Sequence, residues 1–333
     1  MNAESVQVEV TILTDPMPWG REFLHENTRR FVRLVRDQFC NTRNYDKHPQ
    51  YRGHFAVTRS LVEGLKKINA NFQYNPSFPN LLADTVVVLA GVRTLRQAIQ
   101  LKRQGRIKAL YAGPNIVTFA SDFDSIIASP EIDGVITPCE WVIDLYLEDC
   151  PSLKGRCFAW PAGVDTRYWK PDTSTVRRQI LIFEKQNKGP VGPVQPYVEY
   201  LEQCGYHVVI MKYGSFDHDQ YLMHLRRSCL MIGFVTDESQ GIAWAEAWSA
   251  DVPTLIWKNT SHLQQGRIYR SSTAPYLCEQ NGLFFDNIED FKIKLDSWVS
   301  NQKQFTPREW TLENMSDEIC AAKLLNIVKS VNN

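Results

Sequence analysis

The amino-acid sequence predicts an α/β protein with two parallel-sheet domains, and three observations lead to this prediction. Strand-like apolar runs alternate with helix-like runs along almost the whole chain, which is the pattern of parallel α/β sheets. The run DTVVVLAG at 84–91 is almost continuously apolar and ends in glycine, as in a strand buried on both faces. Residues 161–176, with two prolines and a polar stretch, then interrupt the alternation. Because 333 residues suffice for two domains, we place a domain boundary in this interruption.

The individual elements follow from where the apolar runs and the turn-forming residues fall. In the first half we predict strands at 6–13, 84–91, 107–112, 132–137 and 157–160, with helices at 21–38, 58–69, 94–104 and 139–148. In the second half we predict strands at 179–183, 206–212, 229–235, 254–257 and 283–285, with helices at 194–204, 217–228, 240–250, 287–301 and 307–331. Segments 43–58 and 71–82 are interpreted as polar loops that carry aromatic residues.

Composition excludes several classes of protein. A hydrophobic content of 44% with 22% charged residues is typical of a soluble globular protein. The 37 basic residues balance the 37 acidic ones, so the chain has no overall attraction to nucleic acid or to an anionic membrane. No apolar run approaches the roughly 18 residues that a membrane span needs. The basic amphipathic helix 21–38 most simply covers the sheet, and peripheral contact with the inner face of a membrane stays open.

The eight cysteines indicate a reducing compartment. They are scattered without a C-x-x-C pair, and several lie in apolar runs, so we interpret them as reduced core residues of a cytoplasmic protein. The chain also lacks the cysteine and histidine spacing of a zinc site. No G-x-G-x-x-G follows any predicted strand, which argues against a dinucleotide oxidoreductase.

The stretch after the strand at 229–235 carries the most specific pattern in the chain. Glu238 comes just before the small-residue turn Ser239-Gln240-Gly241, which leads into a helix. Unpaired backbone N–H groups at a helix start suit a phosphate, and an ionised carboxylate beside them suits sugar hydroxyls. Gly241 would let such a ligand approach the backbone closely. The plainer alternative is an ordinary helix N-terminus, where the helix dipole favours acidic residues.

A second carboxylate, Glu246, lies eight positions after Glu238 inside an apolar helical run. Burying an unpaired carboxylate would cost several kcal/mol, so we expect Glu246 to have a partner. That partner is either the diol of a ribose or an arginine of another layer of the fold. Together, phosphate and diols describe a sugar nucleotide.

Two further loops follow predicted strands and are weaker candidates. Lys185 and Lys188 come after the strand at 179–183 and could neutralise a leaving diphosphate, or else belong to a solvated polar loop. Gly20 follows the first strand and could admit a phosphate, or else form a plain turn. Ligands of parallel α/β sheets bind at the carboxyl ends of the strands, where all of these residues lie.

These residues resemble the signature of glycosyltransferase family 4, a family of retaining glycosyltransferases with the GT-B fold. The family carries E-x-x-G-x-x-x-x-E before a small-residue stretch, a proline and a strand, which correspond here to Glu238, Gly241, Glu246 and Pro253. The segments at 139–149 and 160–171 are similar to its helix and to its N-G-V-D segment, and 280–291 is similar to its late N-G segment.

The resemblance implies two Rossmann-like domains facing a central cleft. The first, 1–165, would lie on the acceptor side, and the second, 166–305, would bind the nucleotide sugar. A helix at 306–333 would pack back on the first domain. Glu238 would contact hydroxyls of the donor sugar and Glu246 the ribose. The diphosphate would be held by Ser239, Gln240, Gly241 and Ile242, together with Lys185 or Lys188.

This chain departs from the family pattern at three places. Lys185 and Lys188 are three positions apart, where the family has Arg and then Lys five positions on. Ala162 replaces the Asn of N-G-V-D. Near the end of the strand at 107–112, where the family often has His, the chain has Gly113-Pro114-Asn115, which makes Asn115 a candidate residue of the cleft.

We therefore predict an enzyme that moves a sugar from a nucleotide-sugar donor to a glycan or lipid-linked acceptor with retention of configuration. The family generally needs no metal ion, and we expect no cofactor and no nucleic-acid partner here. Two alternatives stay open. One is another nucleotide-sugar enzyme on the same fold, an epimerase or a phosphorylase, and the other is a non-catalytic protein that binds nucleotide sugars.

Overall fold

A computed structural model describes residues 9–15, 53–77, 81–185, 193–264 and 266–330. The predicted helix at 21–38, Gly20 and Lys188 lie outside the described residues. The chain divides into two compact units. The described residues of the first lie within Met1–Thr137, Ile143–Trp160 and Ala321–Asn333, and those of the second within Pro138–Val142 and Pro161–Cys320.

The first unit is built on a six-stranded parallel sheet with the strand order β2-β1-β3-β4-β5-β6. Its strands are β1 (Val10–Thr14), β2 (Phe72–Tyr74), β3 (Thr85–Ala90), β4 (Ala109–Asn115), β5 (Gly134–Thr137) and β6 (Cys157–Ala159). Its longer helices in the described ranges are α1 (His54–Lys67), α2 (Val92–Arg103), most of α3 (Glu140–Asp149) and the part of the C-terminal helix that follows Cys320. Val86 to Leu89 in β3 are fully buried, which confirms the prediction of a strand covered on both faces.

The second unit is built on a five-stranded parallel sheet with the strand order β13-β10-β9-β7-β8. The strands of this unit are β7 (Gln179–Lys185), β8 (His207–Lys212), β9 (Ser228–Val235), β10 (Thr254–Trp257), β11 (Ser261–Gln264), β12 (Arg267–Arg270) and β13 (Gly282–Phe285). The helices are α4 (Gln195–Gln203), α5 (His218–Arg227), α6 (Ile242–Ser249), α7 (Ile288–Ser300), α8 (Pro307–Asn314) and the start of α9 (Asp317–Ser330).

Aromatic side chains fill both faces of this second sheet. On one face Trp244 of α6 packs edge-on against Phe183 of β7, with ring centroids 5.3 Å apart. On the other face Tyr197 of α4 packs against Phe291 of α7 at 5.1 Å. Edge-to-face pairs of this kind add to the burial of the rings themselves. They pack on the two faces of the sheet that contains β7 and β9, whose ends carry the candidate site.

The prediction of a helix at 307–331 is wrong in one respect. The segment forms two helices, α8 and α9, with a break at Met315 and Ser316. At the break the backbone of Val164 donates to the Met315 carbonyl at 2.9 Å and accepts from Asp317 N at 3.2 Å. The backbone groups released from the helix are therefore paired with the segment that enters the second unit. A Cβ on Gly163 would come within 2.6 Å of the Asp317 backbone, so this approach requires glycine.

Three short strands of the described residues were not predicted. The strand β2 falls in a segment interpreted as a polar loop, and it is a three-residue edge strand that is only half-buried. The antiparallel hairpin of β11 and β12 joins segments too short and too polar to show a strand period. Within the described ranges, no helix combines the length and apolar composition needed to cross a membrane.

Candidate functional site

The candidate site is built where β7 and β9 end side by side. The two strands are parallel neighbours, and Lys185, the last residue of β7, pairs in register with Val235, the last residue of β9. The chain continues from Val235 into Glu238, whose carboxylate forms a salt bridge with the Lys185 ammonium. Both side chains are largely buried, with 23% of Lys185 and 15% of Glu238 exposed. Lys185 and Glu238, which the sequence placed at the ends of two different strands, therefore form an ion pair in the structure.

The charge on Lys185 is stabilised by its surroundings. Burial by itself would lower the pKa of the Lys185 ammonium, but the charge of Glu238 and the hydrogen bond to it outweigh this effect. The pKa of Lys185 therefore lies above its ordinary value, and the side chain stays protonated at neutral pH. Its Nζ also lies 5.0 Å from the centre of the Tyr213 ring, a distance at which a cation is attracted to the ring face.

A third charged group, Asp237, shares this surface. Burial raises the pKa of the Asp237 carboxyl, and the neighbouring charge of Glu238 raises it further, while His262 and Lys185 partly offset the rise. His262 Nδ1 lies 3.6 Å from Asp237 Oδ1. The two adjacent carboxylates thus have different partners. Glu238 pairs with Lys185, and Asp237 lies beside His262.

The backbone of Glu238 is fixed from two sides. Its N–H donates to the Ser272 carbonyl at 2.8 Å, and its carbonyl accepts from Trp141 Nε1 at 3.0 Å. The Trp141 ring stacks on Tyr269 of the hairpin, with centroids 5.9 Å apart and planes inclined by 14°. Sequence analysis did not select Trp141 or Tyr269 as site residues, because both lie far from Glu238 along the chain. Trp141 entered only as part of the segment at 139–149 that resembles a family helix, and Tyr269 belongs to no recognisable motif.

Gly241 has a structural role that the sequence analysis did not foresee. It adopts the left-handed conformation, with φ of 65°, directly before α6. A Cβ at this position would lie 2.9 Å from Cδ1 of Trp244, a buried residue in the first turn of α6. The entry of the chain into α6 therefore requires glycine whether or not a ligand approaches, and its part in donor binding stays a prediction.

We expect Gly241→Ala to lower the free energy of unfolding by about 2–3 kcal/mol. The left-handed backbone costs an L-residue roughly 1–2 kcal/mol, and displacing the Trp244 ring adds about 1 kcal/mol or more. Gly205→Ala is the matched control, since Gly205 has φ of 84° but nothing within 4 Å of an added Cβ. Equal losses for the two variants in urea unfolding would show that the contact with Trp244 contributes nothing.

Three buried polar atoms around this turn lack a hydrogen-bond partner among the described residues: Thr236 Oγ1, Gln240 Nε2 and Ser271 Oγ. The other end of the Gln240 amide is fixed, because its Oε1 accepts from Ala162 N at 2.9 Å. Leaving a buried donor unpaired costs about 1–3 kcal/mol, so such groups need a physical reason. A polar ligand bound beside the turn would supply the missing partners.

The remaining predicted residues are placed as follows. Ser239 and Ile242 are half-buried at the turn and at the first position of α6. Glu246 is half-buried on α6, close enough to Tyr221 for its charge to add to the effect of burial in raising the pKa of that phenol. Asn115 ends β4 in the first unit, and its buried Nδ2 has no partner in the described part of the chain.

No protein-family model and no curated protein sequence matches this chain. Solved structures do resemble it. AviGT4, a glycosyltransferase involved in avilamycin A biosynthesis, matches with a TM-score of 0.52 at 11% identity, over 97% of each chain. Anabaena Alr3699/HepE, solved in complex with UDP-glucose, matches with a TM-score of 0.51 at 8% identity, over 96% of this chain and 99% of the other.

At these identities the similarity concerns the fold alone. Two parallel-sheet α/β units, together with matches that span nearly the whole of both chains, define the GT-B fold. The predicted fold class is confirmed. The roles of Glu238 and Glu246, the retaining mechanism and the acceptor stay predictions.

Proposed function

We propose that this protein is a glycosyltransferase that transfers a sugar from a nucleotide-sugar donor to a glycan or lipid-linked acceptor, with retention of configuration. Its fold is shared with glycosyltransferases, and one protein of that fold was solved with UDP-glucose. The observation that carries the proposal is the pairing of Lys185 with Glu238 where β7 and β9 end. Ligands of parallel α/β sheets bind at this edge.

The pair supplies the two kinds of group that a nucleotide sugar needs. The donor diphosphate would take over the Lys185 ammonium as its counter-ion, which frees the Glu238 carboxylate to accept hydrogen bonds from sugar hydroxyls. Free N–H groups in the first turn of α6, among them that of Ile242, would add donors for the phosphate. Glu246, further along the same helix, would accept from the ribose hydroxyls.

The transfer step needs no enzyme nucleophile. The acceptor oxygen would bond to the anomeric carbon on the face that the nucleotide leaves, as the bond from that carbon to the phosphate oxygen breaks. The proton of the acceptor hydroxyl would pass to the departing diphosphate. Lys185 would stabilise the negative charge that develops there, which is the largest single contribution expected from a preorganised site. We propose that no metal ion is required for this step.

The test is a panel of UDP, GDP, ADP and CMP with their sugars, measured first by thermal shift on the whole chain. One nucleotide should stabilise the protein by about 2.7 kcal/mol at a hundred times its dissociation constant. Its sugar conjugate should then support transfer to an acceptor, with equal rates in the presence and absence of EDTA. Isomerisation or phosphorolysis without transfer would point to the epimerase or phosphorylase alternative. Binding without turnover of any donor would point to a non-catalytic protein.

A further inference from the structure

A cavity of about 510 Å³ lies in the second unit, and none of its lining residues belongs to the candidate donor site. It lies between α5 and the segment at 167–175, which precedes β7. Its volume is within the range of small-molecule pockets, roughly 300–1,000 Å³. Leu222 and Met223 give it a limited apolar wall, and the other lining side chains are polar or charged.

The lining of this cavity is rich in positive charge. Four cationic side chains line it, against two carboxylates: Arg167, Lys170, Arg226 and Arg227 against Asp172 and Asp219. Two of the cations come from the segment that precedes β7 and two from the last turn of α5. The dipole of α5 favours cations at the C-terminal end of this helix, where Arg226 and Arg227 lie. It does not explain why Arg167 and Lys170 line the same cavity.

The two carboxylates are engaged by neutral donors. Asp172 accepts from the backbone N of Ser174 at 3.0 Å, from its hydroxyl at 2.6 Å and from the Thr175 hydroxyl at 2.7 Å. These bonds, and to a smaller extent the charge of Arg226, lower the pKa of the Asp172 carboxyl to about 2. Asp219 Oδ1 accepts from Tyr168 Oη at 2.6 Å. Both carboxylates thus accept their hydrogen bonds from neutral donors, and only the charge of Arg226 adds a weaker attraction to Asp172.

In the part of the chain that the structure describes, none of these four cations forms a salt bridge with a carboxylate, and Arg226 acts on Asp172 only through its charge at longer range. Arg226 is held in place because its Nε donates to the Lys170 carbonyl at 3.0 Å, which leaves both of its terminal nitrogens for another acceptor. Arg227, the next residue of the same turn, is exposed and also lines the cavity. A guanidinium group binds phosphate oxygens with good geometry as well as good charge.

We propose that this cavity binds a small phosphorylated polyol, such as a sugar phosphate, as a ligand distinct from the sugar donor. The phosphate would lie against the cationic side chains, chiefly Arg226 and Arg227. Hydroxyl groups would donate to the free oxygen of Asp219, since a carboxylate that accepts one hydrogen bond can accept more. The proposal does not depend on the transfer reaction, because it concerns different residues.

Isothermal titration calorimetry on the whole chain tests this site, with glucose 6-phosphate, inorganic phosphate and methyl glucoside as probes. Glucose 6-phosphate should bind most tightly, inorganic phosphate more weakly, and methyl glucoside not at all, because the phosphate carries most of the recognition. Arg227→Gln should weaken the binding of glucose 6-phosphate about tenfold or more, as expected for the loss of a charge-assisted hydrogen bond. The same is expected of Arg226→Gln, and Arg227 serves as the safer site because its side chain is exposed.

Two controls distinguish binding in this cavity from a general charge effect and from binding at the donor site. Arg106→Gln removes an exposed cation of the first unit, and it should leave the affinity unchanged. Equal weakening by Arg106→Gln and Arg227→Gln would show only a general charge effect and would overturn the proposal. Glu238→Gln and saturating UDP should also leave the affinity unchanged. Loss of binding under either condition, or no binding of any phosphate to the unaltered protein, would equally overturn it.

Discussion

Glu238→Gln is expected to lower the rate of sugar transfer by at least about a hundredfold and to leave the protein folded. Glutamine preserves the shape of the side chain, and its amide oxygen can still accept from Lys185. It loses the negative charge that strengthens hydrogen bonds from the hydroxyls of the donor sugar. Removing one preorganised electrostatic contact to a transition state typically costs about 10²–10³-fold in kcat. Steady-state kinetics with the donor identified by thermal shift, together with circular dichroism, provides the measurement.

Glu184→Gln is the matched control for this variant. Glu184 directly precedes Lys185 on β7, is buried to a similar degree with 19% of its side chain exposed, and faces Lys212 at 3.8 Å. Since successive side chains of a strand point to opposite faces, Glu184 and Lys185 are directed apart. We expect the control to transfer sugar at close to the normal rate. Near-normal activity in Glu238→Gln, or an equal loss in both variants, would contradict the assignment of Glu238.

Lys185→Met is expected to weaken both the fold and the binding of nucleotide. The substitution leaves the largely buried carboxylate of Glu238 beside Asp237 without its counter-ion. Removing one partner of a fully buried ion pair costs about 3–5 kcal/mol, and for this partly exposed pair we expect about 1–3 kcal/mol in the free energy of unfolding. Loss of the ammonium should also weaken the binding of the nucleoside diphosphate about tenfold or more, because a charged hydrogen bond is lost.

A double-mutant cycle separates these two effects. Lys185→Met combined with Glu238→Gln should recover part of the lost stability, since no unpaired carboxylate then remains at Glu238, with a coupling of about 0.5–3 kcal/mol. The double variant should bind nucleotide no better than Lys185→Met alone. Lys212→Met is the control, because that lysine is 71% exposed in its pair with Glu184 and should change stability by less than about 1 kcal/mol. Strict additivity in the unfolding measurements would mean that the pair stabilises nothing.

The strand ends were predictable because parallel sheets place the carboxyl ends of their strands at one edge. Lys185 and Glu238 were each selected from sequence on that ground, and the register of β7 with β9 confirms their proximity. Their direct pairing was not predictable, since the register is set by a shift in the ladder near Gln179. No local pattern contains that shift.

The residues that hold the site were missed for a related reason. Trp141 bonds to the Glu238 carbonyl across 97 positions of sequence, and the Tyr269 ring that stacks on it belongs to a hairpin with no strand-like period. The sequence analysis explained Gly241 only by the close approach of a ligand, and this explanation was incomplete. The nearest obstacle to a Cβ there is Trp244, whose position depends on the packing of α6.

Hydrophobic period, turn residues and the order of apolar runs were sufficient to derive two parallel α/β sheets, most of their elements and the strand ends where a ligand would bind. These features depend on neighbours within a few residues, so a linear pattern records them. The pairing of Lys185 with Glu238, the break between α8 and α9 and the cationic cavity beside α5 became visible in the folded chain. Each arises from groups distant in sequence, whose distance and burial depend on how the layers pack.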